Sequence, residues 1–150
     1  MPIATRSSKH NISKESATAS IAKKISLNVN KGDVLFFFGE IGVGKTTFIR
    51  YLINNIQKKN RLKLTEVTSP TFNLLNEYEV KDFLIEHYDL FRLKNINDTQ
   101  NIGLLENSKN VLTLVEWPEK IKKKPKSRIE LIFKYKSKLD QRILKINDFR

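Results

Sequence analysis

The stretch FGEIGVGKTT, residues 38–47, decides how the rest of this sequence is interpreted. It carries Gly39 and then Gly44, Lys45 and Thr46 at the spacing G-x-x-x-x-G-K-[ST], which is typical of loops that hold a polyphosphate. Successive backbone N–H groups of such a loop point at the phosphates, and the following helix presents its positive end to them. We therefore expect a nucleotide site here. Its terminal phosphate could pass to a substrate, pass to water or serve as a switch.

The segments on both sides of this loop have the patterns that a phosphate loop requires. VLFFF, residues 34–38, is apolar on both faces, which predicts a buried strand in a parallel sheet. KTTFIRYLINNIQKKN, residues 45–60, has apolar residues at helical spacing and predicts a helix that ends near Asn60. A buried strand, a glycine-rich loop and a helix in this order are the context in which the motif becomes specific.

The remaining segments predict one more long helix and several strands. A first helix is expected within residues 11–30, with Ser13 as its N-cap and with Ala17, Ile21 and Ile25 on one face. Strands are expected as two short pieces around Ser69-Pro70 within 64–80, then at 82–93 and 110–117, and as an antiparallel hairpin at 128–135 and 141–146. A short helix is expected between Lys94 and Lys109. Together these elements predict an α/β fold with a mixed, mostly parallel central sheet, flanking helices and a C-terminal hairpin.

Length and composition limit the architecture. A chain of 150 residues predicts one domain over 1–150, since a chain of this size buries roughly 68–70% of its unfolded surface. We expect residues 1–10 to be flexible. The absence of cysteine excludes disulfides and thiolate metal sites, which fits a cytoplasmic protein. No apolar run approaches the ~20 residues that span a bilayer, so no membrane association is expected.

The net charge of +12 has two interpretations. It could be an electrostatic footprint for nucleic acid or an acidic partner. It could equally reflect biased composition, because Lys, Asn and Ile are all frequent. The charge alone does not choose between them.

Two acidic residues at the ends of predicted strands are candidates for a metal site. Mg²⁺ prefers hard oxygen ligands, so the Thr46 hydroxyl needs a carboxylate across the site. Glu116 follows the apolar LTLV and Asp89 follows FLIEHY, and open α/β sheets bind ligands at the carboxyl ends of their strands. Lys45 is expected to reach the β and γ phosphates, and Thr47 to bond an inner phosphate.

Four other features have both an ordinary and a functional interpretation. His87 is a packed histidine, or a base or ligand. Trp117 is ordinary packing, or lines the pocket or a partner surface. Arg92 could pair with Asp89 or contact phosphate. KIKKKPKSR, residues 120–128, is an exposed loop, or contacts RNA phosphates.

NKGD, residues 30–33, matches the guanine-reading N-K-x-D of GTPases, but its position argues against that role. It directly precedes the strand that leads into the phosphate loop, so it lies at the opposite end of that strand from the nucleotide. No D-x-x-G occurs in the chain. We therefore expect a turn here and not a GTP switch.

Several of these segments together resemble one family. GEIGVGKTTFIR, TSPTF (68–72), HYDLFRL (87–93) and VEWPE (115–119) occur in the order and spacing of TsaE, a family of small bacterial ATPases required for threonylcarbamoyladenosine formation on tRNA. The resemblance runs from Lys31 to Glu119 and is weaker outside that range. A phosphate loop is shared by very many families. H-x-D-x-[YF]-R-L followed by a strand that ends in E-W-x-E is far more specific.

The resemblance implies a P-loop fold, ATP hydrolysis with Mg²⁺, and joint action with a TsaD-like threonylcarbamoyl transferase and a TsaB-like companion on tRNA. It also implies roles for individual residues. Thr46 and Glu116 would bind Mg²⁺, Asp89 would position or activate the attacking water, and Thr18 would lie near the adenine. The phosphates would be held by Gly39, Glu40, Ile41, Gly42, Val43, Gly44 and Lys45. Val43 stands where Ala is usual, and Phe91 stands where Tyr is usual, which removes a hydroxyl.

Two other function classes remain open on the sequence. A small-molecule kinase shares the phosphate loop and the size, although no Arg-rich lid segment follows the middle strands. A nucleotide-gated binding module would use ATP to organise a complex, with hydrolysis incidental.

Overall fold

Seven strands form one mixed sheet in the computed structural model, which describes residues 7–95, 97–98 and 102–150. The strand order across the sheet is β1-β7-β6-β2-β5-β4-β3. The elements, in chain order, are β1 Ser7–Asn11, α1 Glu15–Ser26, β2 Val34–Phe38, α2 Lys45–Lys59, β3 Leu75–Val80, β4 Phe83–Asp89, β5 Val111–Glu116, a 3-10 turn at Pro118–Lys120, β6 Ile129–Tyr135 and β7 Arg142–Asp148.

The parallel strands lie at the centre of the sheet. Strand β2 pairs in parallel with both β5 and β6, and β4 pairs in parallel with β5. The outer pairs, β3 with β4, β6 with β7 and β1 with β7, are antiparallel. The predicted α/β fold, the buried strand before the loop and the C-terminal hairpin are therefore confirmed.

Apolar layers cover both faces of strand β2, which explains why VLFFF does not alternate with polar residues. On one face, Phe37 meets Phe48 of α2 and Phe133 of β6, with ring centroids 5.8–6.4 Å apart. On the other face, Phe36 packs in a cluster with Tyr88 and with residues of the segments that follow β4 and β5. Strand β2 is thereby fixed on both sides, and the loop after it starts from a rigid base.

The first helix is shorter than predicted and begins differently. Lys14, not Ser13, is the N-cap, and it makes no side-chain capping bond. The Ser13 hydroxyl instead accepts a hydrogen bond from the Arg142 backbone N–H at 3.0 Å. A long-range contact with β7 thus replaces the local cap. The buried face of the helix carries Thr18 and Ile25.

Two other expectations concern strands. Residues 1–10 were expected to be flexible; residues 1–6 lie outside the described residues, and Ser7–Asn11 form β1, which pairs with β7. The expectation of two strands within 64–80 is wrong, because that segment contains one strand, Leu75–Val80. Pro70 supplies no N–H for a sheet ladder, and the side chains on either side of it are engaged elsewhere, as shown below.

Three smaller predictions have mixed outcomes. The helix expected between Lys94 and Lys109 falls partly on residues 96 and 99–101, outside the described residues, and 102–110 form turns. The predicted turn at NKGD is confirmed, with the Asn30 N–H donating to the Asp33 carboxylate at 2.8 Å. No helix in the described ranges is long and apolar enough to cross a bilayer.

Candidate nucleotide site

The loop between β2 and α2 has a backbone that only glycine accommodates at two positions. Gly39 has a φ of +147°, and a Cβ there would lie 2.8 Å from Val43 Cγ1 and 2.9 Å from the Phe133 carbonyl oxygen. Gly44, the N-cap of α2, has a φ of +115°. Its carbonyl accepts the first helical bond from the Phe48 N–H at 3.0 Å. The loop is therefore tightly folded against β6 and opens directly into the helix.

The loop borders a cavity of about 360 Å³. Its lining includes most of the predicted phosphate-binding residues: Ile41, Gly42, Gly44, Lys45, Thr46 and Thr47. The remaining loop residues Gly39, Glu40 and Val43 border a neighbouring groove on the other side of the loop. Their part in this structure is to shape the loop, for example through the Val43 N–H to Glu40 carbonyl bond of 3.3 Å.

Lys45 is buried, with 4% of its surface exposed. Its Nζ donates to the Gly39 carbonyl and lies 3.9 Å from the centroid of the Trp117 ring. Burial lowers the pKa of Lys45, while the carboxylates of Glu116, Asp89 and Glu119 act in the opposite direction. Burial disfavours the charged ammonium form, so an anion bound beside Nζ would stabilise it.

Thr46 and Glu116 line the same cavity and contact each other directly. The Thr46 hydroxyl donates to Glu116 Oε1 at 3.1 Å. The other oxygen, Oε2, lies 2.8 Å from Nε2 of the fully buried His87. Because an ionised carboxylate only accepts hydrogen bonds, His87 Nε2–H is the donor. His87 therefore fixes the orientation of Glu116.

Asp89 reaches the same cavity from strand β4. Its Oδ2 accepts hydrogen bonds from Ser69 at 2.8 Å and Thr71 at 3.3 Å, and its Oδ1 accepts from the Phe91 N–H at 3.0 Å. Asp89 and Glu116 are register partners on adjacent parallel strands. Sheet pairing thus brings the two carboxylates side by side at the carboxyl ends of β4 and β5.

Trp117 closes one side of the cavity. It follows Glu116 directly and has a φ of +60°, which is unusual for a residue with a bulky side chain. Its ring packs against Phe91, with centroids 4.9 Å apart, and against the Lys45 ammonium group. Of the interpretations of Trp117, the structure therefore supports a place in the cavity wall.

Thr18 lies beside a second cavity, of about 260 Å³, which adjoins the first. Its walls include Gly44 and Thr47 of the loop region and Thr18 of α1. The buried Thr18 is therefore near the phosphate loop but on the far side of it from Glu116 and Asp89.

Two other candidates lie away from the cavity. The Arg92 guanidinium lies 4.1 Å from the centroid of the Phe72 ring, and no salt bridge joins it to Asp89 among the described residues. In the basic stretch 120–128, Lys122, Lys123, Lys126 and Ser127 are exposed, and no residue of the stretch lines the cavity.

The structure brings four further residues to this region: Ser69, Thr71 and Arg142, to which the sequence assigned no site role, and His87, which was left open as a packed histidine or as a base or ligand. Ser69, Thr71 and His87 lie in two motifs that carried the family resemblance, TSPTF and HYDLFRL. The alternation of His87 and Asp89 on a strand predicts a shared face, so His87 could have been placed beside Glu116. Arg142 had no comparable signal.

A family model described as "Threonylcarbamoyl adenosine biosynthesis protein TsaE" matches residues 12–144. The chain belongs to the TsaE family. The Rickettsia typhi protein named tRNA threonylcarbamoyladenosine biosynthesis protein TsaE is 37% identical over 75% of this chain and 76% of its own length. The protein of the same name from Rickettsia conorii is 37% identical over 75% of this chain and 62% of its own length.

The fold agrees with a solved structure. The crystal structure of Bacillus subtilis YdiB matches 96% of this chain and 86% of its own chain, with a TM-score of 0.68 and 22% sequence identity. At this identity the likeness concerns the fold. The range that the family model matches, residues 12–144, includes the phosphate loop, Asp89 and Glu116.

Proposed function

We propose that this TsaE-family chain binds ATP with Mg²⁺ and transfers the γ-phosphate to water, in support of threonylcarbamoyl adenosine biosynthesis on tRNA. The observation that carries the proposal is the convergence of Lys45, Thr46, Glu116 and Asp89 on one cavity beside a glycine-rich loop. Family membership supports the pathway. The arrangement of the cavity supports the chemistry, because phosphate charge, metal and water each have a matching group.

The donor set fits a magnesium ion shared between protein and phosphates. Among the described residues, no group of three or more His, Cys, Asp or Glu could hold a metal by itself. Mg²⁺ in ATPases takes one or two protein oxygens and completes its shell with phosphate oxygens and water. Thr46 and Glu116 would be those protein ligands. The ion would supply charge neutralisation between the β and γ phosphates.

Lys45 and Asp89 supply the other two requirements. The Lys45 ammonium group, which donates to the Gly39 carbonyl of the loop, would neutralise charge on the β and γ phosphates. Asp89 accepts three hydrogen bonds, so its carboxylate is fixed in one orientation. A water molecule bonded to that carboxylate can be directed at the γ-phosphate, and Asp89 can accept its proton.

The partners belong to the proposal as well. We expect the chain to act with a TsaD-like threonylcarbamoyl transferase and a TsaB-like companion, and to reach tRNA through that complex. Phosphoryl transfer depends on positioning and charge stabilisation. Hydrolysis by the isolated chain should therefore be slow, and faster when the partners complete the site.

The test is phosphate release by the purified chain, alone and with TsaD and TsaB homologues and tRNA from the same source. Lys45→Ala, Glu116→Ala and Asp89→Asn should each lower turnover by about 100-fold or more, the usual loss when one electrostatic contact to the transition state is removed. Glu79→Gln, which removes an exposed acid from the edge strand β3, is the control. Wild-type turnover in folded Glu116→Ala and Asp89→Asn variants would refute the site.

A further inference from the structure

Arg142 is a cation beside the phosphate loop whose hydrogen-bonding capacity is mostly unused. It is the first residue of β7, opposite Tyr135 of β6, and its side chain is half-buried. A guanidinium group carries five N–H donors. Among the described residues its side chain makes one hydrogen bond, from Nη1 to the Val43 carbonyl at 3.5 Å, and no salt bridge.

Arg142 lies where two cavities adjoin. The larger cavity contains Glu116 and the other candidate groups for the metal and the terminal phosphate. The smaller cavity contains Thr18. Three residues line both: Gly44, Thr47 and Arg142. A ligand that occupies both cavities would therefore lie beside these three residues.

A nucleoside triphosphate with its metal-bound end toward Glu116 and its nucleoside in the smaller cavity would have its inner phosphate at this junction. We propose that Arg142 binds the α-phosphate, the one bonded to the nucleoside; this inference rests on the proposed function as an ATP-binding protein. Thr47 approaches the same phosphate from α2. Lys45 and the metal ligands serve the outer phosphates, so the triphosphate is held by cations at both ends.

The chemistry of Arg142 suits this task. A planar guanidinium group can bond two oxygens of one phosphate at once, whereas an ammonium group acts as a point charge. Gly44 lies next to the guanidinium group, since a Cβ built on Gly44 would lie 3.6 Å from Arg142 Nη1. The α-phosphate is present in both ATP and ADP. Arg142 should therefore strengthen the binding of both nucleotides to the same degree.

The experiment measures the dissociation constants of ATP and ADP, each with Mg²⁺, through the fluorescence of Trp117. This is the one tryptophan in the sequence, and its ring lies 3.9 Å from Lys45 Nζ. Arg142→Gln should weaken the binding of both nucleotides by the same factor, about 10- to 100-fold, as expected for the loss of a hydrogen bond to a charged group. Arg142→Lys should recover part of the affinity.

Lys145→Gln is the matched control. It removes one positive charge from the same strand. Side chains alternate along β7, so Arg142 shares a face of the sheet with the buried Leu144 and Ile146, whereas Lys145 lies on the other face. Its nucleotide affinities should equal those of the wild type. An equal loss in Lys145→Gln would show that overall charge, and not a contact by Arg142, is responsible, and would overturn the inference.

The remaining outcomes are also decisive. Unchanged ADP affinity in Arg142→Gln, or a loss confined to ATP, would overturn the inference, because the contact would then be absent or would be with the γ-phosphate. Should Arg142→Gln fail to fold, as judged by thermal unfolding without nucleotide, Arg142→Lys gives the same comparison with a smaller expected loss. Failure of the wild-type chain to bind ATP would instead refute the proposed function.

Discussion

At the scale of single residues, His87 is buried beside Glu116 with one ring nitrogen in use. Nε2 bonds Glu116 Oε2, while Nδ1 has no hydrogen-bond partner among the described residues. The Nε2 bond goes to the carboxylate that we propose as a magnesium ligand. Mutation of a residue that orients a metal ligand typically lowers the affinity for the metal by 10- to 100-fold.

We therefore expect His87→Ala to raise the Mg²⁺ concentration needed for half-maximal ATP binding by about 10-fold, because Glu116 loses the donor that orients it. His87→Gln, whose amide can still donate to Glu116, should remain closer to the wild type. Titration of Mg²⁺ at fixed ATP, followed by Trp117 fluorescence, measures the effect. Nucleotide binding without Mg²⁺ is the internal reference and should be the same in all three proteins. A loss in His87→Ala that is equally large without Mg²⁺ would contradict the positioning role.

At the scale of elements, the edge hairpin of β3 and β4 contains an unfavourable pair. Glu77 and Glu86 are directly opposite each other in the antiparallel register. Burial raises the pKa of Glu86, and the charge of Glu77 raises it further. A carboxyl group whose pKa is raised by folding stabilises the folded state while it is protonated. That contribution is lost as the pH rises past the ordinary Glu value of 4.5.

We expect Glu77→Gln to stabilise the protein at pH 7 by roughly 0.2–1 kcal/mol, the usual range for a cross-strand pair. The gain should shrink as the pH falls toward 4, where protonation removes the repulsion in the wild type. Urea unfolding at both pH values measures it. Glu79→Gln changes the same charge on the same strand opposite Leu84. If both substitutions stabilise equally, the repulsion between Glu77 and Glu86 is not the cause.

At the scale of the whole molecule, the net charge of +12 is the dominant electrostatic feature. An excess of like charge disfavours the compact state, and salt screens that repulsion over a Debye length of about 10 Å at 0.1 M. Part of the excess lies in the exposed lysines of the stretch 120–128, outside the candidate site. Moderate salt should therefore stabilise the folded protein. In a protein stabilised by surface ion pairs, salt would instead weaken the attraction and lower the stability.

The melting temperature without nucleotide should rise between about 0.02 and 0.2 M NaCl, a range over which the Debye length falls well below the size of the domain. Chloride is the appropriate anion, because sulfate could occupy the phosphate loop and stabilise the protein by binding. A variant with Lys122, Lys123 and Lys124 changed to Gln should show a smaller rise. A melting temperature that falls with NaCl in the wild type would contradict this account.

Much of the fold followed from local sequence. The central strands and α2 were predicted because their apolar runs are long and the glycine-rich loop fixes the order of its neighbours. The features that were missed depend on contacts distant in sequence. Ser13 bonds β7 instead of capping α1, and β1 is a polar strand defined by its pairing with β7. Ser69 and Thr71, expected near strands, instead hold Asp89. No local pattern specifies such partners.

The register between β4 and β5 has a practical consequence. Asp89 and Glu116 share a face only while these strands are paired as observed, and a slip of one residue would turn one strand's side chains away from the other's. Under our proposal, affinity for magnesium nucleotide would then report on correct assembly. A resin carrying immobilised ATP would retain chains with the observed pairing of β4 and β5 and would not retain chains in which the two strands are shifted. One chromatographic step would then also select correctly folded protein.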